Sequence, residues 1–201
     1  MSAWVRVIAH FTASEEYKSG SFSLDEPLSQ ISKASGLNKS YVGFETEDPT
    51  VLFWVNDWTS KDAHAAFLQQ PDYSAIADKS RAAFATQPTV NFVQFDDAKG
   101  PLGAPITEFV TFTLKEGKTI EQLEPLVQEL HQKLAGAPKF HGDSWAVIID
   151  KPNVYHGILG WDTVEAHWDA VKEGAPKEVI DRIRQLADLW LVHAALKPFS
   201  A

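Results

Sequence analysis

The 201-residue sequence contains no cysteine, and this absence removes several kinds of chemistry. Disulfides, thiolate metal sites and cysteine nucleophiles are all excluded. Basic residues are also few, with 18 Lys and Arg against 27 Asp and Glu and a net charge of −9. A chain this acidic, without a basic cluster, is poorly suited to bind nucleic acid or an anionic membrane. We therefore expect neither as a partner.

The sequence has no apolar run as long as a membrane span, and its N-terminus lacks the apolar core of a signal peptide. A strand pattern begins almost at once, at Trp4. The lack of cysteine is compatible with a reducing compartment. We therefore expect a cytoplasmic protein.

Aromatic residues, in contrast, are abundant, with 7 Trp and 12 Phe in the chain. Such side chains fill hydrophobic cores, and they also line pockets for flat ligands. The composition therefore favours a globular protein whose partner is a small hydrophobic or aromatic molecule.

Two stretches of the chain look alike. Val51–His64 and Val154–His167 begin 103 positions apart, and each reads as a strand that runs into a helix. In both stretches a Trp precedes a His by six positions, Trp58 before His64 and Trp161 before His167. We interpret the two stretches as diverged copies of one unit.

Apolar periodicity and turn residues predict the order β-α-β-β-α-β in the first half, which is the ferredoxin-like arrangement. A loop is predicted over Thr12–Ser23. The predicted strands are Trp4–Phe11, Tyr41–Thr46, Val51–Trp58 and Thr89–Phe95. The predicted helices are Asp25–Ser35 and one that starts at Thr59, breaks at Pro71 and resumes over Asp72–Phe84.

The second half repeats this order. A turn is predicted at Lys151-Pro152-Asn153, and Pro125 either kinks the first helix or marks its start. The predicted strands are Ile106–Leu114, Ser144–Asp150, Val154–Trp161 and Val192–Leu196. The predicted helices are Thr119–Leu134 and one that starts after Asp162, breaks at Gly174-Ala175-Pro176 and continues to about Leu189.

Three helix starts match the capping-box pattern, in which an N-cap side chain and a third-position side chain satisfy two otherwise unpaired backbone N–H groups. The pairs are Thr59 with Asp62, Thr119 with Gln122, and Asp162 with Glu165.

These elements predict an α+β protein with one ferredoxin-like repeat over residues 1–96, a linker over 97–105 and a second repeat over 106–201. Strand positions are apolar on both sheet faces, as Val5 and Val7 on one face and Trp4 and Ile8 on the other illustrate. Helices cover only one face of each sheet, so the other face needs a second layer. We expect the two bare faces to pack together and close a barrel within one chain.

The stretches WTSKDAHAAFLQQPDYSAI and WDTVEAHWDAVKEG, which start at Trp58 and Trp161, carry a family resemblance. They resemble the motif W-x-(S/T)-x-(D/E)-A-H of dimeric α/β-barrel proteins. The antibiotic-biosynthesis-monooxygenase-like branch is the most similar, in a fused two-repeat form. The resemblance implies a barrel normally built by two subunits, here built by one chain. We therefore expect a monomeric pseudo-dimer or a homodimer.

Proteins of this superfamily are similar in architecture and diverse in chemistry, so the fold does not choose a function. The resemblance implies cofactorless oxygenation of polycyclic phenols, polyketide cyclisation, lactone isomerisation, or haem binding and degradation. We expect an enzyme of secondary metabolism that needs no cofactor and uses a neutral His as general base. A non-catalytic ligand-binding or stress-related barrel and a haem-binding protein are the alternatives.

Histidine distribution suggests the working half, because five of the seven His follow residue 130. His156 and His193 lie in predicted strands, where an offset alignment of the halves matches them with Phe53 and Val90. A polar ring in an apolar position must find a partner or line a pocket. The candidate catalytic residues are His156, His193 and His167.

The ligand is expected in a cavity of the C-terminal half. The candidate substrate-binding residues are His131, Trp145, Trp168, Tyr155 and His64. The matched pair His64 and His167 is open to two interpretations, a pair of catalytic imidazoles or a structural feature of the repeat. No metal site is expected, because no two His lie four apart on a helix and no H-x-H occurs.

Overall fold

The computed structural model describes residues 4–95 and 101–200. The chain divides into two compact units. The first unit contains the N-terminal half together with the residues from Leu196 onward, and the second unit ends at Ala195. Residues 96–100, which include the start of the predicted linker, lie outside the described residues. Beyond them Pro101–Gly103 forms a short 3₁₀ helix, in which Leu102 is buried.

The first unit contains four antiparallel strands in the spatial order β4-β1-β3-β2, with helices α1 to α4 between them. Its strands are β1 (Trp4–Thr12), β2 (Leu37–Phe44), β3 (Val51–Trp58) and β4 (Thr89–Phe95). Its helices are α1 (Glu15–Lys18), α2 (Asp25–Ile31), α3 (Lys61–Leu68) and α4 (Tyr73–Ser80). Trp58 lies in the core of this unit with 1% of its surface exposed.

The second unit has the corresponding order β8-β5-β7-β6, again antiparallel. Its strands are β5 (Ile106–Leu114), β6 (Phe140–Ile148), β7 (Lys151–Trp161) and β8 (Ala187–Ala194). Its helices are α5 (Ile120–Leu134), α6 (Val164–Val171) and α7 (Gly174–Leu186). The last strand of the chain, the two-residue β9 (Lys197–Pro198), belongs to the first unit and pairs there with β2.

Helix packing follows the sequence pattern. Helix α5 buries Leu123, Val127, Leu130 and Leu134, which recur every three or four residues and therefore share one face. This apolar stripe packs into the core of the second unit. The α+β class is confirmed in that helices pack on antiparallel sheets in each unit. No helix of the described residues combines the length and apolarity that a membrane span requires.

The capping predictions have mixed outcomes. The box of Thr119 and Gln122 at the start of α5 is confirmed. The other two are wrong by one residue, because Ser60 caps α3 through the Ala63 N–H and Thr163 caps α6 through the Ala166 N–H. Two cap-forming residues stand side by side at each of these helix starts, so the pattern alone does not choose between them.

Several element boundaries differ from the predictions. The predicted loop Thr12–Ser23 contains α1, and β2 and β6 begin earlier than expected, at Leu37 and Phe140. The predicted turn at Lys151-Pro152-Asn153 is instead the beginning of β7. The chain reverses just before it, where Asp150 has a positive φ of 68°.

Both predicted helix interruptions exist. The residues between α3 and α4 include Pro71, as expected. The second interruption lies before the predicted residues. It consists of Lys172 and Glu173, because α6 ends at Val171 and Gly174 already belongs to α7. Pro176 is tolerated in the first turn of α7, where a missing N–H breaks no helical bond. Pro125 lies inside α5 and does not mark its start.

Ser60 is the N-cap of α3, and its contribution to stability can be tested. Ser60→Ala removes the oxygen that accepts the Ala63 N–H at 3.1 Å, and we expect a loss of about 1 kcal/mol in the free energy of unfolding. Thr59→Ala is the matched control, since the Thr59 side chain does not cap the helix. Urea unfolding measures both, and a larger loss in the Thr59 variant would contradict the assignment.

Candidate functional site

A cavity of about 500 Å³ lies in the first unit, between the sheet and helices α3 and α4. The sheet contributes alternate residues, which face the same side of each strand. These are Val7 and Ala9 of β1, Trp54 and Asn56 of β3, and Val90 and Phe92 of β4. The wall is predominantly apolar, as expected for a site that binds a hydrophobic ring system.

The helical wall of the cavity is shaped by the interruption at Pro71. Leu68, at the end of α3, and Tyr73, at the start of α4, both line the cavity. Ile76 and Ala77 continue this wall along α4, and Phe84 follows it. The break in the helix therefore brings two different helix ends over one cavity.

His64 is the imidazole of this cavity. It lies in the first turn of α3, half-buried, with its ring 5.3 Å from the Trp58 ring and 5.5 Å from the Phe92 ring between centroids. Neither of its ring nitrogens has a hydrogen-bond partner among the described residues. Burial lowers the pKa of His64 from its ordinary value of 6.5, so the ring is neutral at pH 7.

Asn56 places a second polar group on the same cavity wall. Its side-chain oxygen accepts hydrogen bonds from Ser40 Oγ at 2.6 Å and from Trp54 Nε1 at 2.9 Å. These two donors fix which end of the amide is which. The NH₂ group has no partner among the described residues and can donate to a bound molecule.

The second unit has a cluster of buried polar side chains, formed by Glu108 of β5, His167 of α6 and His193 of β8. Their exposed fractions are 3%, 3% and 0%. His167 Nδ1 lies 2.9 Å from His193 Nε2, and Trp161 Nε1 donates to Glu108 Oε2 at 2.9 Å. The structure thus brings together two of the predicted catalytic residues, His167 and His193.

The contact between His167 and Glu108 is not an ion pair. Burial first, and the neighbouring His193 second, lower the pKa of His167 to about 3, so its ring is neutral. The 3.6 Å from His167 Nε2 to Glu108 Oε1 is also too long for a hydrogen bond. The cluster therefore contains the neutral imidazole of His167 beside the His193 ring and a carboxyl group.

Trp168 is the only other predicted site residue near this cluster. Its ring, 47% exposed, lies 4.5 Å from the His167 ring and 5.8 Å from the His193 ring between centroids. His156 is buried elsewhere in the sheet, with its ring 6.2 Å from that of Phe109.

Trp145, Tyr155 and His131 lie in a third place. Trp145 stacks between Phe112 and Tyr155, with centroid distances of 5.5 and 6.3 Å. Asp143 accepts from Trp145 Nε1 at 2.6 Å and lies 2.5 Å from Nδ1 of the exposed His131. Burial, and then the charge of Glu124, raise the pKa of Tyr155 to about 12, so its hydroxyl stays protonated.

Strand pairing corrects one sequence alignment. In the second unit Glu108 of β5 pairs with His193, whereas in the first unit the corresponding residue Val7 pairs with Phe92. His193 therefore corresponds to Phe92, and the match with Val90 is wrong. The match of His156 with Phe53 agrees with the register of β7 and β3.

The cavity of about 500 Å³ lies in the first unit, whereas the ligand cavity was predicted in the second. A smaller pocket of about 300 Å³ in the second unit is lined by none of the predicted site residues. Of those residues, His64 alone lines the large cavity. Asn56 was missed, although a polar residue between Trp54 and Trp58 on one strand face is a detectable signal.

No family model matches the chain, and no curated protein is similar to it in sequence. Solved structures do match over nearly the whole length. A candidate monooxygenase from Fusobacterium nucleatum has a TM-score of 0.78 at 7% identity, with 98% of this chain and 94% of that chain covered. One from Lactobacillus acidophilus has a TM-score of 0.73 at 15% identity, with 99% and 97% covered.

An anthrone oxidase-like protein is also similar, with a TM-score of 0.67 at 13% identity and coverage of 98% of this chain and 94% of that chain. Identities this low establish the fold alone. The chain therefore shares the fold of these solved structures.

Proposed function

We propose that this chain is a cofactor-independent oxygenase that oxidises a flat aromatic substrate in the cavity of the first unit. The observation that carries the proposal is His64, a neutral imidazole without a protein hydrogen-bond partner in the described residues, in the wall of an apolar cavity. The cavity volume of about 500 Å³ lies within the range of small-molecule sites.

His64 acts as the general base in this proposal. A neutral imidazole removes a proton from a phenol or from an acidic C–H beside an aromatic ketone, and such positioned proton transfer is worth about 10²–10⁴ in rate. The base must be unprotonated at working pH, and burial of His64 provides that.

Asn56 stabilises the oxyanion that results. Its NH₂ group is held in place by the two bonds to its oxygen, so the donor is oriented before the substrate arrives. Preoriented donors aimed at developing negative charge contribute about 10²–10³ in rate. The apolar wall, including Trp54 and Phe92, strengthens this interaction by excluding water.

The overall reaction needs no cofactor to balance. Deprotonation makes the ring system electron-rich, O₂ adds to the activated carbon, and loss of water from the peroxide leaves a carbonyl. The net change is R₂CH₂ + O₂ → R₂C=O + H₂O, in which one oxygen atom enters the product and the substrate supplies all the electrons. The similarity to an anthrone oxidase-like fold supports a tricyclic aryl ketone as the substrate class.

We also propose the architecture expected from the sequence, two copies of one ferredoxin-like repeat that form a barrel within one chain. The common strand order of the two units supports the repeat. A compact particle of the chain's own 22.3 kDa, or a dimer of such particles, is the scattering result that this architecture requires.

An oxygen electrode tests the proposed function. Anthrone is added to protein that has been treated with a chelator, and we expect uptake of one O₂ for each anthraquinone formed, above the spontaneous rate. Binding of anthrone without oxygen uptake would favour the ligand-binding alternative. Neither binding nor uptake across a series of flat phenols and aryl ketones would overturn the proposal.

The pH profile gives a second prediction. Because burial lowers the pKa of His64, the base form persists below pH 6.5 and is lost only as the pH falls through the lowered value. We therefore expect the acidic limb of kcat/KM to have its midpoint below pH 6.5. A midpoint at or above pH 6.5 would contradict the role of a buried imidazole.

A further inference from the structure

The polar cluster of the second unit contains three strong metal-ligating groups that come from three separate elements. Glu108 is on β5, His167 on α6 and His193 on β8. One donor atom of each lies within 4.8 Å of the donors of the other two, and all three side chains are buried. The three residues lie far apart in the sequence, so no short spacing motif predicts the cluster.

The spacing of the nitrogens suits coordination. His167 Nδ1 and His193 Nε2 are 2.9 Å apart. Two nitrogens at that separation, each about 2.0–2.1 Å from an ion, subtend an angle of about 90° at it. That angle is the one between neighbouring ligands of an octahedral or distorted tetrahedral ion. The nitrogen separation is therefore compatible with two adjacent positions on one ion, which would replace the hydrogen bond that the two rings share.

The carboxylate is oriented by a residue outside the cluster. Trp161 Nε1 donates to Glu108 Oε2 at 2.9 Å, while Oε1 is the oxygen that faces His167. Hydrogen bonds of this kind orient metal ligands and increase their affinity. Glu108 thus has Oε1 3.6 Å from His167 Nε2 and has Oε2 held by the indole of Trp161.

The positions of Glu108 and His193 can be compared with the corresponding positions of the first unit, where no such cluster forms among the described residues. Val7 and Phe92 stand where the second unit has Glu108 and His193, and only the central His is common to both units. In the second unit a carboxylate and an imidazole therefore occupy two positions that are apolar in the first unit, and their donor atoms lie within 4.8 Å of each other and of a donor of His167. Burying such groups is costly unless each is hydrogen-bonded, paired with a charge or bound to an ion.

A structural role for Glu108 as the acceptor of Trp161 does not explain the cluster. In the first unit the corresponding indole nitrogen, that of Trp58, is buried without a hydrogen-bond partner among the described residues. The fold therefore tolerates that indole unpaired. A role confined to Trp161 also gives no reason for the imidazole of His193.

We propose that Glu108, His167 and His193 bind one divalent first-row transition-metal ion. Two imidazoles with one carboxylate are the donor set that zinc and ferrous iron take in proteins, whereas magnesium and calcium prefer oxygen ligands alone. The site belongs to the second unit and is separate from the cavity of His64. It therefore goes beyond the proposed oxygenase activity and does not depend on it.

Metal titration of chelator-treated full-length protein tests the proposal without any substrate. Zn²⁺ competed against a chromophoric chelator should bind at one equivalent per chain and raise the melting temperature. Co²⁺ at the same site should give visible absorption bands, whose intensity reports the coordination number. Co²⁺ should also quench the fluorescence of Trp168, because its ring lies 4.5 Å from that of His167.

Two variants remove one ligand each, and two controls remove histidines outside the cluster. Glu108→Gln and His193→Phe should each weaken Zn²⁺ binding by about a hundredfold or more, beyond the tenfold to hundredfold of outer-shell changes. His156→Phe is the matched control, since it also replaces a buried His in this sheet. His141→Ala removes an exposed surface His. Both controls should bind Zn²⁺ like the unmodified chain.

The result that overturns the proposal is an absence of stoichiometric Zn²⁺ and Co²⁺ binding, or binding that survives both ligand substitutions. Far-UV and near-UV circular dichroism establish that each variant is folded. If His193→Phe fails to fold, the nearly isosteric Glu108→Gln decides the matter alone. Failure of the oxygenase proposal would leave these metal measurements unchanged.

Discussion

His64→Ala is expected to lower the turnover of an accepted substrate by about a hundredfold or more, the usual worth of a positioned general base. The substitution removes the imidazole of the cavity and leaves its apolar wall in place. Stability should change little, because the half-buried ring makes no hydrogen bond within the described residues. Steady-state oxygen uptake and a thermal melt of the same sample measure the two effects separately.

Three further variants separate His64 from the histidines of the second unit. His131→Ala removes an exposed ring that pairs with Asp143 and should retain full activity. His156→Phe and His193→Phe test the catalytic assignment made from the sequence, and we expect both to keep turnover above half of normal. Full activity in His64→Ala, with a large loss in either Phe variant, would move the catalytic base to the second unit.

Asp57→Ala is expected to destabilise the protein by about 3–5 kcal/mol, because it removes one partner of a buried ion pair. Arg6 and Asp57 have exposed fractions of 1% and 3%, and Arg6 Nε lies 3.2 Å from Asp57 Oδ1. The other carboxylate oxygen accepts from Asn38 Nδ2 at 2.8 Å. Chemical denaturation measures the loss.

The double variant Arg6→Leu/Asp57→Leu should be less destabilised than Asp57→Ala alone, because it removes both charges together. The second unit indicates that the fold forms without this pair, since Thr107 and Gly160 occupy the corresponding paired positions. Asp169→Ala breaks an exposed pair with Lys172 and should cost far less stability than Asp57→Ala, because solvent screens the pair. An Asp57→Ala loss as small as that of Asp169→Ala would refute the expectation.

Strand and helix order could be predicted because local pattern determines it. Alternating β-branched and aromatic residues identified β1 and β3, and the three- to four-residue apolar period identified α5. The equal Trp-to-His spacing also placed His64 and His167 correctly in the first turns of α3 and α6. These features depend on residues close together in sequence.

The register of the last strand could not be predicted. Matching His193 with Val90 instead of Phe92 is a shift of two residues, and a shift of two keeps every side chain on the same sheet face. The alternation of apolar and polar residues along the strand therefore cannot distinguish the two registers. The correspondence of His193 with Phe92 follows only from the strand pairing, in which Val7 pairs with Phe92 and Glu108 with His193.

The position of the cavity was equally hidden. In the first unit Val42 pairs with Trp54, which lines the cavity, whereas in the second unit Trp145 pairs with Gly157. Trp145 packs so tightly on Gly157 that a Cβ there would lie 2.3 Å from the indole. The Trp lies on β3 in the first unit and on β6 in the second, and this difference changes the space between the sheet and the helices. That volume depends on three-dimensional packing and not on composition.

The most direct test of the account is a crystal structure of the protein with a bound flat aryl ketone or phenol, obtained without oxygen. We expect the ligand in the cavity of the first unit, with its ring against Trp54 and Phe92 and its oxygen within hydrogen-bond distance of Asn56. His64 should lie within reach of the acidic proton. A ligand bound in the second unit, or a ligand in the first-unit cavity that contacts neither His64 nor Asn56, would contradict the account.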